Sequence, residues 1–379
     1  MLTLLALLAC AAWLFLAFRH GRFWRGDQCL DESPRTPAAW PSIAIVIPAR
    51  NEADVIGRAV ASHMAQDYPG AFHVFVVDDR STDETAAVAR DAGDDARLTI
   101  VTAPALPEGW AGKVAAMAAG AAEAARAMPG AHYVLFTDAD IEHPSDNLRR
   151  LVAKAEAGRL DMTSLMVKLE AQTFWERILI PAFVFFFQKL YPFPLVNDPG
   201  HRMAGAAGGC MLVRRTALER IGGMAAIKGE IIDDCALARA IKPGGPIWLG
   251  LSTDARSLRP YGGLGGVWRM VARSAFNQLR YSTPLLLGCV VGMLILYVAP
   301  PWAALDGLFD NHAFLALLGV AAWATMTVCY KPTLDLYGRP VWEALLLPVA
   351  AILYVLMTVD SARAHWAGRG GAWKGRTYA

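Results

Sequence analysis

Cysteine never recurs at C-x-x-C spacing in this 379-residue sequence. The six cysteines stand far apart, at positions 10, 29, 210, 235, 289 and 329. That excludes a common zinc-site pattern and a disulfide framework, and it leaves reduced thiols in a cytoplasmic setting as the simple expectation. Charge of one sign is equally lacking. Thirty-six Lys and Arg against 34 Asp and Glu give a net charge of +2. No global basic surface for nucleic acid follows from such a balance. Charge of any sign is sparse at 18%, whereas 55% of the residues are hydrophobic and the mean hydropathy is +0.31. The chain is too apolar for an average soluble protein and too charged for a pure membrane bundle. Two phosphate-binding signatures are missing as well. No G-x-G-x-x-G follows the first strand and no G-x-x-x-x-G-K-[ST] occurs, which disfavours a dinucleotide domain and a P-loop.

The apolar residues come in long runs. Residues 2–18 carry no charge and just reach bilayer-spanning length. Met1-Leu2-Thr3 offers no basic n-region, so an anchor is expected rather than a cleaved signal. Arg19, His20, Arg22 and Arg25 follow, which by the positive-inside rule puts the N-terminus outside and the next residues in the cytoplasm. Residues 19–41 form a juxtamembrane linker punctuated by Pro34, Pro37 and Pro41. Three further runs, 285–303, 313–330 and 341–359, make residues 283–360 a membrane segment. The tail, 361–379, holds Arg363, Arg369, Lys374 and Arg376 and no acid, which argues for the cytoplasm. Three spans would instead leave it outside. Glu343 and Pro348 single out the last run as the one expected to be re-entrant or interfacial.

Between the runs, residues 42–282 alternate strand and helix patterns, which implies a mostly parallel sheet with both faces covered. Ligands of such sheets sit beyond the carboxyl ends of the strands. The polar clusters fall there: Asn51-Glu52, Asp78-Asp79, and Asp138-Ala139-Asp140 after the strand Tyr133-Val134-Leu135-Phe136-Thr137. Alternate side chains of extended backbone share a face. Asp138 and Asp140 can therefore meet at one point, and such close like charges favour a cation between them. A hard divalent ion, Mn or Mg, suits their oxygens; a polar turn is the plain alternative. A phosphatase of the D-x-D-x-[TV] type fails at Glu142.

Four stretches taken together, IVIPARNE, VVDDRSTDET, GWAGK and FTDAD, resemble the nucleotide-sugar-binding half of a family 2 glycosyltransferase with the GT-A fold. The resemblance covers roughly 42–282, and the apolar flanks match membrane-bound members. It implies an α/β, GT-A (nucleotide-diphospho-sugar transferase) domain with N-terminal and C-terminal transmembrane helices. It implies a nucleotide-sugar donor bound by Pro48, Glu52, Asp78, Asp79, Lys113 and Asp138. Asp140 is the expected direct metal ligand, and Asp138 touches the ribose or a metal-bound water. For Glu52 and Asp78 the plain alternative is helix capping, which is also all that is expected of Ser81 and Asp83. For Lys113 it is a solvated lysine, against phosphate binding near a helix start.

Inverting members carry an acidic pair, usually Glu-Asp, followed by x-x-Leu. Asp233-Asp234-Cys235-Ala236-Leu237 fits, with Asp234 as general base and Asp233 in place of the usual Glu. Asn277-Gln278-Leu279-Arg280-Tyr281 is similar to the (Q/R)-x-x-R-W motif of membrane-bound members, with Asn and Tyr substituted. By that likeness Arg280 pairs with the departing diphosphate and Tyr281 lines the acceptor site; a basic juxtamembrane helix is the alternative. His201 and Arg202 are weaker candidates for phosphate or acceptor. Residues 174–194 have a ten-residue apolar core, flanking charges and many aromatics, including Trp175 and Phe183. That pattern suits a helix in the membrane interface on the acceptor side, with a buried core helix as the alternative. SLMVKLEAQTFWERILIPAFVFFFQKLYPF, AAGGCMLVRR and IIDDCALARAIK resemble hopanoid-associated glycosyltransferases, themselves similar to ceramide glucosyltransferases. The enzyme so implied is a metal-dependent, inverting hexosyltransferase of a bacterial-type inner membrane, multi-pass, with its catalytic domain in the cytoplasm. Its partners would be the bilayer, a UDP-sugar and a lipid hydroxyl, possible in hopanoid form, with no nucleic acid. A processive polysaccharide synthase, a non-catalytic scaffold of the same fold and a soluble-type nucleotidyltransferase are the alternatives. The weakened Q-x-x-R-W, the retained carboxylates and the four apolar runs count against them in turn.

Overall fold

The structure is a computed structural model describing residues 1–93 and 96–369, and beyond them the backbone of 372–373 and 376–377. Lys374 of the basic tail lies outside the described residues. The centre is an eight-stranded sheet: β1 (Ile43–Ala49), β2 (Phe72–Asp78), β3 (Leu98–Thr102), β4 (Tyr133–Phe136), β5 (Ile141–Glu142), β6 (Met162–Lys168), β7 (Met211–Arg214) and β8 (Ile247–Ser257), in the order β3-β2-β1-β4-β7-β6-β8-β5. The β3-β2-β1-β4 half is parallel throughout, as the strand–helix alternation requires.

Alternation along these strands builds two cores. Ala44, Val46, Phe75, Val77, Val134 and Phe136 pack on one face. Ile43, Ile45, Ile47, Val74, Val76 and Leu135 pack on the other. Each large aliphatic side chain so buried contributes about 1.5–3 kcal/mol. The Ala-rich helix Gly112–Ala127 lies very close to the first face. A Cβ at Gly120 would come within 2.4 Å of Val46 Cγ1 and 2.7 Å of Val77 Cγ2, so only glycine fits.

The other half of the sheet changes direction, and this positions the site. β7 runs antiparallel to β4, with Phe136 opposite Met211, so residues just before β7 lie beside residues just after β4. β8 runs antiparallel to β5, with Ile141 opposite Ser257, so residues just after β8 lie beside Asp140.

A third core joins the apolar helices to this domain. Trp13 and Phe23 pack with Leu179, Ile180, Phe185 and Phe186 and with Tyr297, Tyr330 and Tyr354. The helix Phe174–Leu190 is the bridge. It is not exposed along one face. Leu179, Ile180, Ala182, Val184 and Phe185 are all buried, with Phe183 packed between the first core and the third. Trp175, at its start, is half-exposed. A complete capping box starts it: Thr173 accepts from Glu176 N, and Glu176 accepts from Thr173 N at 2.9 Å.

Among the described residues three helices, Thr283–Phe309, Ala313–Leu336 and Val341–Trp366, are long and apolar enough to cross a membrane, and Leu2–Phe18 is a shorter apolar helix. Leu4, Phe15, Leu287, Leu308, Leu317 and Val328 are among the large apolar residues left facing outward. The first long helix widens into a π turn over Leu294–Val298, just before Pro300 and Pro301. Neither proline has an N–H, so the Leu296 carbonyl loses both its i+4 and i+5 donors. The indole of buried Trp13 donates to it instead at 2.7 Å, which pins the N-terminal helix to this point. In the last run, Glu343 and Pro348 do not interrupt the helix. Glu343 sits in the 3-10 entry Val341–Leu346, ion-paired with Arg339, and Pro348 occupies the first turn of Leu347–Trp366, where no N–H is needed.

Candidate active site

Parallel pairing brings the ends of β1, β2 and β4 to one edge, and the loops there are laced together. Asn51 (φ 52°) and Arg80 (φ 54°) both turn in the left-handed region. The Asn51 side chain accepts from Thr82 N at 2.8 Å, and Ser81 Oγ accepts from Asn51 N at 3.0 Å. Asp83 does cap a helix, but across the loop as well as its own: it accepts from Ala53 N at 3.2 Å and from Thr85 N at 3.1 Å. Asp78 accepts from Ser81 N at 3.2 Å. Asp79 is buried, and its N–H donates to Ala49 O at 2.8 Å while its carbonyl accepts from Arg50. Pro48 is buried inside β1 opposite Val77.

Two ion clusters meet at Asp138-Ala139-Asp140. On one side Lys113 Nζ lies 2.8 Å from Asp138 and 3.1 Å from Asp233. Burial alone would lower this ammonium, but Asp138 and Asp233 override it and hold Lys113 above its usual range. Asp234 follows. Its carboxylate accepts from Gly208 N at 2.9 Å and from Cys235 N at 2.6 Å. Burial first, and then the neighbouring Asp233 charge, push it up to about 6 against the pull of Lys113. A Cβ at Gly208 would stand 3.1 Å from Lys113 Nζ, 3.6 Å from Asp234 Oδ2 and 3.7 Å from Asp138 Oδ2. Gly208 thus marks the point where strand end, lysine and acidic pair converge. On the other side Arg259 bridges Asp140, at 3.0 Å, and Glu52. Those two carboxylates raise its basicity although burial alone would lower it.

Beneath the clusters a buried network ties β4 to the Gly208 loop. Thr137 Oγ1 donates to Gly209 O at 2.8 Å and lies 3.0 Å from His143 Nε2, whose Nδ1 is 3.0 Å from Asn147 Nδ2. Burial pushes His143 down to about 4, so it is a neutral scaffold residue. Behind the acidic pair, Tyr191 and Gln278 exchange hydrogen bonds at 2.7 and 3.1 Å. The Asn277–Tyr281 stretch reaches the acid side through Gln278. Arg280 and Tyr281 turn away at positive φ (53° and 54°): Arg280 is exposed, and Tyr281 stacks on His365 with ring centroids 4.2 Å apart. His201 Nδ1 accepts from Met203 N at 3.0 Å, within its own loop.

Sequence reasoning missed Arg259, Gly208, the Thr137–His143–Asn147 network and Gln278. Arg259 had no motif around it. The Gly-Gly pair at 208–209 was visible, but not its opposition to Asp138.

Five carboxylates (Glu52, Asp138, Asp140, Asp233, Asp234) face two cations here, a formal excess of three negative charges. An anionic ligand would need further positive charge. Among the described residues no three His, Cys, Asp or Glu side chains are grouped to hold a metal by themselves. Asp138 and Asp140 nonetheless fit a hard divalent ion of the kind bound through one or two carboxylates together with ligand phosphates. Their side chains are 33% and 16% exposed, open to the cleft.

The mostly parallel sheet, its acid-lined carboxyl edge and the antiparallel strands that close the cleft define a GT-A-type α/β domain. The family model described as Glycosyl transferase family 2 matches residues 44–222. Over 143 residues, 36% of this chain, the sequence is 34% identical to the beta-monoglucosyldiacylglycerol synthase of Synechocystis sp.. Over 67 residues, 17% of this chain, it is 51% identical to the succinoglycan biosynthesis protein ExoU of Rhizobium meliloti. These alignments span 28% and 19% of the two relatives. Among solved structures, the mannosyltransferase PcManGT of Pyrobaculum calidifontis, in complex with GDP-Man and Mn2+, is similar in fold. Its TM-score is 0.55 at 20% identity, covering 95% of this chain and 99% of that one.

Proposed function

We propose that the chain is a membrane-bound, inverting glycosyltransferase that moves a sugar from a nucleotide-diphosphate donor, UDP-linked by preference, to a lipid hydroxyl. The observation that carries it is the Lys113 bridge. One ammonium holds Asp138 on the strand edge and Asp233 of the acidic pair, with Asp234 a single glycine away. A donor on the strand edge and a base on the far side then face each other across the sugar's anomeric carbon. Single displacement needs no further nucleophile. Asp234 takes the proton of the attacking hydroxyl as the new glycosidic bond forms and the nucleotide diphosphate leaves. A carboxylate raised to about 6 is ionised at neutral pH yet basic enough for that task. Pro48, Glu52, Asp78 and Asp79 would border the nucleoside. Asp138 and Asp140 would hold a divalent cation, which, when bound, supplies positive charge to the leaving diphosphate.

A lipid acceptor is supported by the third core, which joins the Phe174–Leu190 helix beside the acidic pair to the three long apolar helices. It is also supported by the relative whose name is a glucosyldiacylglycerol synthase. Our specific choice is a polycyclic, hopanoid-type hydroxyl, with Trp175, Phe183 and Tyr281 on the acceptor side and the catalytic domain in the cytoplasm. Arg280, exposed in this structure, would reach the diphosphate only after the 279–281 corner turns inward. The test is to incubate the purified protein with a panel of nucleotide sugars and a bacterial lipid extract, and to look by mass spectrometry for a lipid that gains one hexose. Sugar appearing only in long polysaccharide, or no transfer with any donor, refutes the proposal.

A further inference from the structure

The segment after β8 crosses the open edge of the site as a strap. Leu258 N donates to Asp140 O at 2.7 Å, and Ser257 Oγ donates to Asp140 Oδ2 at 3.3 Å. Arg259 then reaches over to Glu52 and Asp140, side chains from two different strand ends. The strap ends at Gly262 (φ 70°) and Gly263 (φ 87°). A Cβ on either would meet nothing within 4 Å, so backbone conformation and not crowding calls for glycine there. Gly263 N donates at 3.0 Å to buried Glu176, in the first turn of the bridging helix. The strap is therefore tied at one end to Asp140 and at the other, past the glycine pair, to the helix that meets the apolar core.

Arg259 is 39% exposed. It is not a sealed structural ion pair, and an anion entering the cleft can reach it. It occupies Asp140, one of the two carboxylates that fit a divalent ion. Both cannot hold Asp140 equally well.

From this we infer that Arg259 is a donor-binding residue that exchanges partners when the donor arrives. In the free protein it neutralises Asp140 and Glu52 and keeps the two strand-end loops in register. When a divalent cation and a nucleotide diphosphate arrive together, Arg259 releases Asp140 and pairs with the diphosphate, keeping Glu52. The strap follows it over the donor, hinging at Gly262-Gly263. A planar guanidinium suits the exchange because its fork fits carboxylate and phosphate alike. This inference rests on the donor reading above.

The test uses the full-length protein in detergent with three titrations by calorimetry: Mn2+ alone, UDP with Mn2+, and GDP with Mn2+. Arg259→Ala is expected to bind Mn2+ alone about tenfold more tightly, because a competing cation is gone, and the nucleotide diphosphate with Mn2+ at least about tenfold more weakly, because a charge-assisted contact is lost. Arg259→Lys keeps the charge without the fork and should fall between. Hydrogen exchange of residues 258–263 should slow when nucleotide and Mn2+ bind the parent and not when they bind Arg259→Ala. If the parent binds nucleotide but both variants match it, or if Arg259→Ala weakens both titrations alike, the exchange is wrong and the donor reading stands. If the parent binds neither nucleotide, the donor reading fails and the exchange fails with it.

Discussion

Replacing Asp234 by Asn removes a charge that the fold holds at a cost. The carboxyl stands at about 6 in place of 3.8, first through burial and then through Asp233. A shift of that size corresponds to an order of 3 kcal/mol for a sealed group. Asp234 is only part-buried, so solvent screening reduces it to about 1–2 kcal/mol. The sign follows from the folded value lying above the unfolded one. The ionised group opposes folding above about pH 6, and the opposition fades as pH falls from 6 toward 3.8. Asp234→Asn should therefore melt higher than the parent at pH 8, and the gain should vanish near pH 4; the amide oxygen still accepts one of the bonds from Gly208 and Cys235. Activity should move the other way. The parent's turnover should rise with pH through about 6 and level off, because the base must be ionised. The variant should lose roughly 10²–10⁴-fold in turnover with UDP affinity nearly intact. Thermal unfolding in detergent at the two pH values, a pH–rate profile and calorimetry with UDP read all three. A variant within tenfold of parental turnover, or one that melts lower than the parent at pH 8, refutes the assignment of Asp234 as a strained base.

Asp140→Ala should abolish the metal-dependent part of UDP binding, read by calorimetry with and without Mn2+; parental binding that ignores the metal sinks the cation site. Trp13→Phe leaves the Leu296 carbonyl without a donor in an apolar setting and should cost about 1–3 kcal/mol. Thermal unfolding in detergent measures this, and an unchanged midpoint means the indole bond does not matter. Deleting residues 1–18 should leave the protein in the membrane fraction through the three long helices; a fully soluble product refutes their membrane role.

Half the sheet and half the site were legible in the residues. Apolar alternation ending in Asn51-Glu52, Asp78-Asp79 and Asp138-Asp140 placed three acidic strand ends at one edge, because parallel strands with helical crossovers end together. The long apolar runs were legible by length and composition, although the run expected over 285–303 extends from Thr283 to Phe309 through a π turn ahead of two prolines. Asp83 was expected to cap a helix and takes Thr85 N at the start of its own; that it also takes Ala53 N of the neighbouring helix was not visible, because that partner lies thirty residues away in sequence, and Ser81, expected to cap as well, instead accepts from Asn51 N in the loop between. That Glu343 and Pro348 stand in the 3-10 entry and the first turn of the last helix was not legible, because composition does not show where a helix starts.

What the sequence determined by itself is local: which segments alternate with period two, which are apolar enough for lipid, and which carboxylates stand where a strand runs out. Those depend on neighbours within a few residues. The tertiary structure decided the pairings. The antiparallel return of β7 sets Gly208 against Asp138, and that of β5 on β8 sets Arg259 against Asp140 and Glu52. Lys113 thereby acquires Asp233, 120 residues distant. These contacts are chosen by strand direction and register, which the whole core settles at once, and no window of the sequence contains both partners.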